Sequence, residues 1–304
     1  MLDPTLRGII AATVLPLRED FEIDTPSLRR YLAWLLEEGV HGVAVNVDTG
    51  EGPHLTPKER LHVVRTAAEV VAGRVPLISG LAPASTARAG AAARDLGAAG
   101  ADALLVFPSA AFRTVPLPAS VPVDHYRTVG EVGGVPLVLF QLQEALGGVE
   151  FPVPVLARIA RLPQVVAVKE ATFRPEAFRK TVAALEDVEV SLLTGNDNFI
   201  HDSLCWGARG ALIGFGTLAT RLQVRMWDAH EAGDAERAAE LGKEVQRLAD
   251  VVFAPPVRHY RVRLKEALRL LGVIPRATIR PPLEPVTEEE SATLRAAMAE
   301  ARLL

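Results

Sequence analysis

Val-Val-Ala-Val-Lys-Glu-Ala-Thr, residues 165–172, is the stretch on which the assignment of the fold depends. Its first half is apolar and rich in β-branched residues, a composition typical of a strand buried on both faces of a parallel sheet. Similar segments recur along the chain. We predict strands at 8–17, 42–46, 76–80, 101–108, 136–141, 165–171, 190–196 and 210–216. Helical patterns lie between them, near 25–38, 57–72, 84–98, 120–132, 152–161, 175–186, 197–206 and 219–231.

Eight strand–helix units joined by short links predict an α/β fold, a closed (β/α)₈ TIM barrel. Two helix starts carry local signals, because Thr25-Pro26 and Thr56-Pro57 each place a capping residue before a proline in the first turn. The alternative is an open doubly wound sheet. That alternative is disfavoured because no Gly-x-Gly-x-x-Gly turn follows the first strand.

The pattern changes after the eighth unit. Three helices, at 234–253, 256–272 and 287–302, follow one another with no strand between them. We therefore predict a barrel over residues 1–231 and a C-terminal three-helix extension over residues 232–304. The extension is expected to pack on the barrel or to build a subunit interface.

Composition excludes several classes of protein. The chain of 304 residues is 49% hydrophobic and 23% charged, with a net charge of −4, so no nucleic-acid-binding surface is indicated. Cys205 is the only cysteine, which excludes an intrachain disulfide and a cysteine-based metal site. No secretory signal or membrane-spanning stretch is evident. We expect a cytoplasmic protein with no metal, cofactor, nucleic-acid or membrane partner.

Lys169 is the residue of greatest chemical interest. Lysine is scarce in this chain, with five copies against 28 arginines, and it is rarely buried unless it is paired or functional. An amine that must lose its proton to attack a carbonyl has to be lysine, since arginine stays charged. The alternative is a structural lysine that pairs with Glu170 or another acid.

Other polar or glycine-rich segments follow the strands of the predicted barrel. The second strand leads into residues 46–52, Asn-Val-Asp-Thr-Gly-Glu-Gly, whose hydroxyl and amide groups could hold a small anion. The seventh strand ends in residues 194–197, Thr-Gly-Asn-Asp, and the eighth in residues 214–216, Gly-Phe-Gly. Chemistry in such barrels collects at the carboxyl ends of the strands, so these segments are expected to meet Lys169.

These segments resemble the dihydrodipicolinate synthase/N-acetylneuraminate lyase family of class I, Schiff-base-forming aldolases. Residues 48–51 are similar to the family's Thr-Thr-Gly-Glu loop, and residues 168–172 to its Lys-Glu-Ala-Thr strand. Residues 195–197 resemble its Gly-Asp-Asp turn, and the likeness extends over nearly the whole chain. The resemblance implies a (β/α)₈ barrel, a homo-oligomer (tetramer or dimer), and Lys169 as the imine-forming residue.

The sequence departs from the family at several positions, and at one of them Asp48 stands where the family has the first threonine of its strand-two loop. Phe140 stands where family members have a proton-relaying tyrosine, and the three tyrosines of the chain, Tyr31, Tyr126 and Tyr260, all lie on predicted helices. No nearby tyrosine is therefore expected to replace the phenol, and the candidate substitutes are Asp48, Glu144 and a bound water. Ala145 falls near the arginine with which synthases hold a dicarboxylic substrate. These differences argue against a true dihydrodipicolinate synthase.

The predicted function is that of a lyase or aldolase which forms a Schiff base with pyruvate or another 2-oxo acid. The alternative is a catalytically silent paralogue that binds a small oxo acid or acts as a scaffold. The predicted catalytic residues are Lys169, Asp48 and Thr49. The predicted substrate-binding residues are Gly50, Glu51, Phe140, Gly195, Asn196 and Gly214.

Overall fold

A computed structural model describes residues 6–82, 84–113 and 117–304. Eight parallel strands form a closed barrel in chain order, which confirms the predicted fold. The strands are β1 (Gly8–Ala12), β2 (Gly42–Val45), β3 (Leu77–Leu81), β4 (Ala103–Val106), β5 (Leu137–Leu142), β6 (Val165–Ala171), β7 (Ser191–Thr194) and β8 (Gly210–Ile213). The barrel closes between β1 and β8, where Gly8 pairs with Gly210. A Cβ on Gly210 would lie 2.4 Å from the Gly8 backbone, so the closure requires a glycine.

The helices of the barrel alternate with its strands. They are α1 (Thr25–Glu37), α2 (Pro57–Val71), α3 (Thr86–Ala98), α4 (Ser120–Gly133), α5 (Val153–Ala160), α6 (Pro175–Ala184), α7 (Ile200–Cys205) and α8 (Thr220–Glu231). Three more helices follow: α9 (Ala235–Val252), α10 (Tyr260–Leu270) and α11 (Glu288–Glu300). No helix in the described ranges is both long and apolar enough to cross a membrane.

Alternation along the strands divides the buried residues into two layers. From Ala167 onward, past a bulge at the start of β6, Ala167 and Ala171 belong to the cluster inside the barrel, whereas Val168 packs outward against the helices. Lys169 shares the parity of Ala167 and Ala171, so the backbone directs its side chain inward. The inner face of β6 therefore combines two small residues with one lysine.

Several strands are shorter than predicted. β1 ends at Ala12 rather than at residue 17, and β8 ends at Ile213 rather than at residue 216. The predicted runs continue because the loops at the strand ends are themselves buried: Val14, Leu15 and Phe215 are all core residues. Apolar composition marks burial and does not distinguish a strand from a buried loop.

Helix ends differ in detail from the predictions. Thr56 caps α2 with a reciprocal capping box to Glu59, as its sequence suggests, but α1 is capped by Asp24, whose carboxylate accepts from the Ser27 amide. The helix predicted from residue 256 begins as α-helix at Tyr260, after a short 3₁₀ turn over Val257–His259. This late start places Tyr260 in the first turn of α10.

Polar contacts between partly buried side chains join helices α10 and α11 of the C-terminal extension. Arg263 on α10 donates to Glu290 on α11 at 2.8 Å, and Ser291 donates to Glu266 at 2.5 Å. α9 packs against α8, the last helix of the barrel. The boundary at residues 231 and 232 stays a prediction, since these contacts do not test independent folding.

Candidate active site

A narrow cavity opens at the carboxyl ends of the barrel strands. Its polar lining comes from four elements that are distant in sequence: the loop after β2, strand β6, the turn after β7 and the start of α10. The described lining residues are Val47, Asp48, Thr49, Phe140, Leu142, Leu146, Lys169, Ala171, Phe173, Gly195, Asp197, Gly214, Phe253 and Tyr260. Six of the nine predicted site residues are therefore brought together here: Asp48, Thr49, Phe140, Lys169, Gly195 and Gly214.

The Lys169 side chain occupies the centre of this cavity. It is 8% exposed, and its Nζ lies 4.5 Å from the centroid of the Phe140 ring on the neighbouring strand. A Cβ added to Gly195 would come within 2.6 Å of Lys169 Cε and 2.8 Å of Ala171 Cβ, so any larger residue here would crowd the lysine and its neighbour on β6. Gly195 thus makes room for the amine.

Glu170 does not pair with Lys169. Its carboxylate accepts from Asn196 Nδ2 at 2.6 Å and from the Thr172 amide at 3.3 Å. Asn196 also donates to the Glu170 carbonyl at 2.9 Å, so its side chain fixes β6 to the turn after β7. The alternative that Lys169 is a structural lysine paired with Glu170 is wrong. Asn196, which was predicted to bind substrate, does not line the cavity.

Burial controls the protonation of the two ionisable groups deepest in the cavity. It lowers the pKa of Lys169 to about 8, against the opposing effects of the Asp197 and Asp48 charges. Burial also raises the pKa of Asp197 to about 7, although the Phe215 amide donates to its Oδ1 at 2.9 Å and Lys169 is close. Near neutral pH, the amine can therefore give up its proton far more readily than a solvent-exposed lysine can.

Backbone hydrogen bonds within the loop after β2 hold that loop in its conformation. The Gly50 amide donates to the Val47 carbonyl at 3.1 Å, and the Gly52 amide donates to the same oxygen at 2.9 Å. A Cβ on Gly50 would lie 2.8 Å from the Thr13 carbonyl, which explains the glycine by close packing. The prediction that Gly50 binds substrate through its amide is therefore not supported by the geometry. Within the described ranges, no acceptor occupies the Thr49 amide.

Glu51 lies behind the loop instead of facing the cavity. Its side chain is 1% exposed and pairs with Lys265 of α10, whose side chain is fully buried, at 2.5 Å. The Arg280 amide donates to the other Glu51 oxygen at 3.2 Å, and Lys265 also donates to the Thr278 carbonyl at 2.7 Å. The prediction that Glu51 contacts substrate is corrected: it anchors the loop to the C-terminal extension.

Sequence reasoning missed a contribution from the extension. Tyr260 lines the cavity, and its hydroxyl donates to Asp48 Oδ2 at 2.6 Å. Arg261 donates to the same carboxylate through Nε at 3.1 Å and Nη2 at 2.5 Å. The expectation that no tyrosine lies near the gap left at Phe140 is wrong. No local pattern in the sequence could place the start of α10 beside a loop more than 200 residues earlier.

The arrangement has the parts needed for carbonyl chemistry. It provides an amine with a lowered pKa, a hydroxyl and a free amide at Thr49, and a tyrosine–aspartate pair on one side of an apolar cavity. Within the described part of the chain, no group of three or more histidine, cysteine, aspartate or glutamate side chains could hold a metal ion.

The closed parallel barrel, with polar groups gathered around a cavity at the carboxyl ends of the strands, defines the chain as a (β/α)₈-barrel protein with a candidate ligand site on that face. The chain belongs to the dihydrodipicolinate synthetase family, whose sequence model matches residues 5–301.

Individual relatives agree with this assignment. The chain is 32% identical over 298 residues to a 4-hydroxy-tetrahydrodipicolinate synthase of Leptothrix cholodnii, with 98% of each chain covered. It is 29% identical over 289 residues to an uncharacterized DapA-like lyase of Thermofilum pendens, with 93% of each covered. The fold matches a dihydrodipicolinate synthase of Acinetobacter baumannii in complex with pyruvate, at a TM-score of 0.88 and 25% identity, covering 99% of this chain and 100% of that one.

Proposed function

We propose that this protein is a lyase or aldolase that forms a Schiff base between Lys169 and pyruvate or another small 2-oxo acid. The observation that carries the proposal is the setting of Lys169: a buried amine, inside the mouth of the barrel, with a pKa lowered to about 8. Membership of a family that includes a pyruvate-binding synthase and a named lyase supports the same chemistry.

In this proposal, the substrate carboxylate binds beside Thr49, whose hydroxyl and amide donate to it. The neutral amine of Lys169 then attacks the ketone carbon at C2. The proton given up by the Lys169 ammonium returns to the adduct as water leaves, so the product is a protonated imine. The imine withdraws electrons from the neighbouring carbon and so assists C–C cleavage, condensation or dehydration. The small space around Gly195 and Gly214 suits a compact oxo acid.

The cavity is poorly suited to a second substrate carboxylate. Among its described lining residues, Lys169 is the only cation, and the remaining walls are largely apolar, including Leu142, Leu146 and Phe173. Arg261 is close, but both of its interacting nitrogens are engaged with Asp48. We therefore propose a monocarboxylic 2-oxo acid substrate and do not extend to this chain the synthase activity named for its relatives.

The alternative function is a catalytically silent paralogue that binds an oxo acid or serves as a scaffold. Phe140 favours it, because its ring lies beside Lys169 where family members carry a phenol. The two functions differ in one measurable respect, which is whether a covalent bond to Lys169 forms.

Borohydride reduction in the presence of pyruvate, followed by peptide mass spectrometry, tests the proposal. We expect one equivalent of adduct, located on Lys169, and none in Lys169→Ala or Lys169→Arg, because arginine stays charged. Lys180→Arg is the matched control, since it makes the same exchange at an exposed lysine on α6, away from the cavity, and it should retain the adduct. A folded wild-type protein that gives no adduct with pyruvate or with a panel of 2-oxo acids would support the silent paralogue.

We also propose a homo-oligomer, a tetramer or a dimer, on the strength of the family resemblance. Light scattering at micromolar concentration is the direct measurement, and a monomer would reject this proposal. The cytoplasmic location stays a prediction.

A further inference from the structure

Tyr260 is held in a defined orientation at the side of the cavity. Its ring stacks on Phe253, with centroids 4.9 Å apart and an angle of 16° between the planes, and the residue is 6% exposed. A Cβ on Gly214 would lie 3.1 Å from Tyr260 Cε2 and 3.0 Å from Thr49 Oγ1. The missing side chain at Gly214 therefore lets the phenol ring and the Thr49 hydroxyl approach each other.

Asp48 fixes the phenol hydroxyl and is itself fixed. Its Oδ2 accepts from Tyr260 at 2.6 Å, while Arg261 binds both carboxylate oxygens. Burial, together with the Asp48 charge, raises the pKa of Tyr260 well above its usual range, so the phenol keeps its proton at neutral pH. A neutral hydroxyl that donates to a carboxylate can accept a proton on its oxygen while passing its own proton to the carboxylate.

We infer that Tyr260 is a catalytic residue of this site and that, with Asp48, it forms the proton relay that Phe140 cannot provide. The inference rests on the proposed Schiff-base function and adds to it a residue from the C-terminal extension. Tyr260 and Lys169 line the same narrow cavity. The C2 oxygen of an oxo acid bound to Lys169 must lie inside this cavity.

In the proposed relay, each proton that leaves one group during imine formation is taken up by another. The Lys169 ammonium gives one proton to Tyr260, which passes its own to Asp48. The neutral amine attacks C2, the C–N bond forms, and the new alkoxide takes a proton from the nitrogen. The C–O bond then breaks as Tyr260 protonates the departing hydroxyl and recovers a proton from Asp48. The products are the protonated imine and one water, with Tyr260 and Asp48 in their original states.

Tyr260→Phe removes the hydroxyl and keeps the ring that stacks on Phe253. We expect formation of the borohydride-trapped pyruvate adduct, followed by rapid quench, to slow by about 10²–10⁴-fold, the usual contribution of one acid–base group. The adduct should still form on Lys169, and the pyruvate concentration for half-maximal rate should change little. Tyr31→Phe is the matched control, because Tyr31 is fully buried outside the cavity lining, and it should react at the wild-type rate.

Two further variants separate a relay from a structural role. Tyr260→Phe combined with Phe140→Tyr should regain at least tenfold in rate, because it returns a phenol to the cavity from β5. Asp48→Asn, which keeps the size of the side chain and removes its basicity, should slow adduct formation even if Tyr260→Phe fails to fold. The inference is overturned if Tyr260→Phe and Asp48→Asn react at the wild-type rate, or if Phe140→Tyr restores nothing.

The failure of this inference is distinguishable from that of the proposed function. A wild-type adduct that is lost in Lys169→Ala supports the Schiff-base function whatever Tyr260→Phe does. A wild-type protein without an adduct contradicts both.

Discussion

Two lysines in this protein are buried in opposite ways. Lys265 is fully buried and has a carboxylate partner, Glu51, at 2.5 Å and a carbonyl acceptor at 2.7 Å. Lys169 is 8% exposed, lies 4.5 Å from an aromatic ring centroid, and forms no ion pair with any residue in the described ranges. Burial lowers the pKa of both amines. Only at Lys265 does a hydrogen-bonded counter-ion oppose that effect.

The difference shows that burial alone does not mark a reactive lysine. A buried amine with a bonded carboxylate stabilises the folded chain, because removal of either partner leaves an isolated charge. A buried amine without one costs stability and can react. The environment of Lys265 therefore indicates a structural role, and that of Lys169 a reactive one. Each role can be tested separately.

The largest expected difference is in stability. Lys265→Met should lower the free energy of unfolding by about 3–5 kcal/mol, because Glu51 is left buried without its cation. Lys169→Met should lower it by no more than about 1 kcal/mol, because the substitution removes a buried polar group that lacks an ion-pair partner. Denaturant titration followed by circular dichroism measures both changes.

A double variant serves as the control. Lys265→Met with Glu51→Gln should be less destabilised than Lys265→Met alone, since the unpaired charge is gone. An equal or larger loss in Lys169→Met than in Lys265→Met would break the comparison.

The next effect is on the pH dependence of adduct formation. Burial lowers the pKa of Lys169 and raises that of the neighbouring Asp197, so the two groups titrate over adjoining pH ranges. The neutral, reactive fraction of the amine should rise with pH and level off at a lower pH than it would for an exposed lysine. A solvent-exposed lysine would instead give a rate that continues to rise towards its ordinary pKa of about 10.4. The trapped-adduct rate between pH 6 and 10, at low pyruvate concentration, distinguishes the two profiles.

Asp197→Asn sharpens this measurement. The Asp197 carboxylate favours the ammonium form of Lys169, so its removal should lower the pKa of the amine further. The inflection in the rate profile should move to lower pH. An inflection that moves upward would contradict the assigned sign of the Asp197 effect.

The smallest effect is expected at a third lysine. Lys180 pairs with Glu176 one turn earlier on α6, and both side chains are more than half exposed. Exposed pairs of this kind contribute little to stability. Lys180→Ala should leave both the denaturant midpoint and the adduct rate unchanged within measurement error, which sets the baseline for the two buried lysines.

Much of the barrel could be predicted because each strand–helix unit carries a local signal. The apolar run at 165–172 and the Thr56-Pro57 helix start are recognisable within a few residues. The strand ends were less accurate, because buried loop residues such as Leu15 and Phe215 have the same composition as strand residues. Local composition therefore gave the order of elements better than their bounds.

The site was predictable only in part. Lys169, Thr49 and Gly195 lie at strand ends, and barrel geometry is enough to bring such positions together. Glu51 and Tyr260 were misjudged because their roles depend on how α10 packs beside the loop after β2. That packing joins residues more than 200 positions apart, and nothing in either segment alone indicates the other.

The same packing sets when the site can form during synthesis. The loop that carries Asp48 and Thr49 is held by Tyr260, Arg261 and Lys265, and by the backbone at Arg280. All eight strands leave the ribosome before any of these anchors does. A nascent chain can thus close its barrel while the loop after β2 is still unanchored, and the rim of the cavity is completed only when the C-terminal segment has emerged.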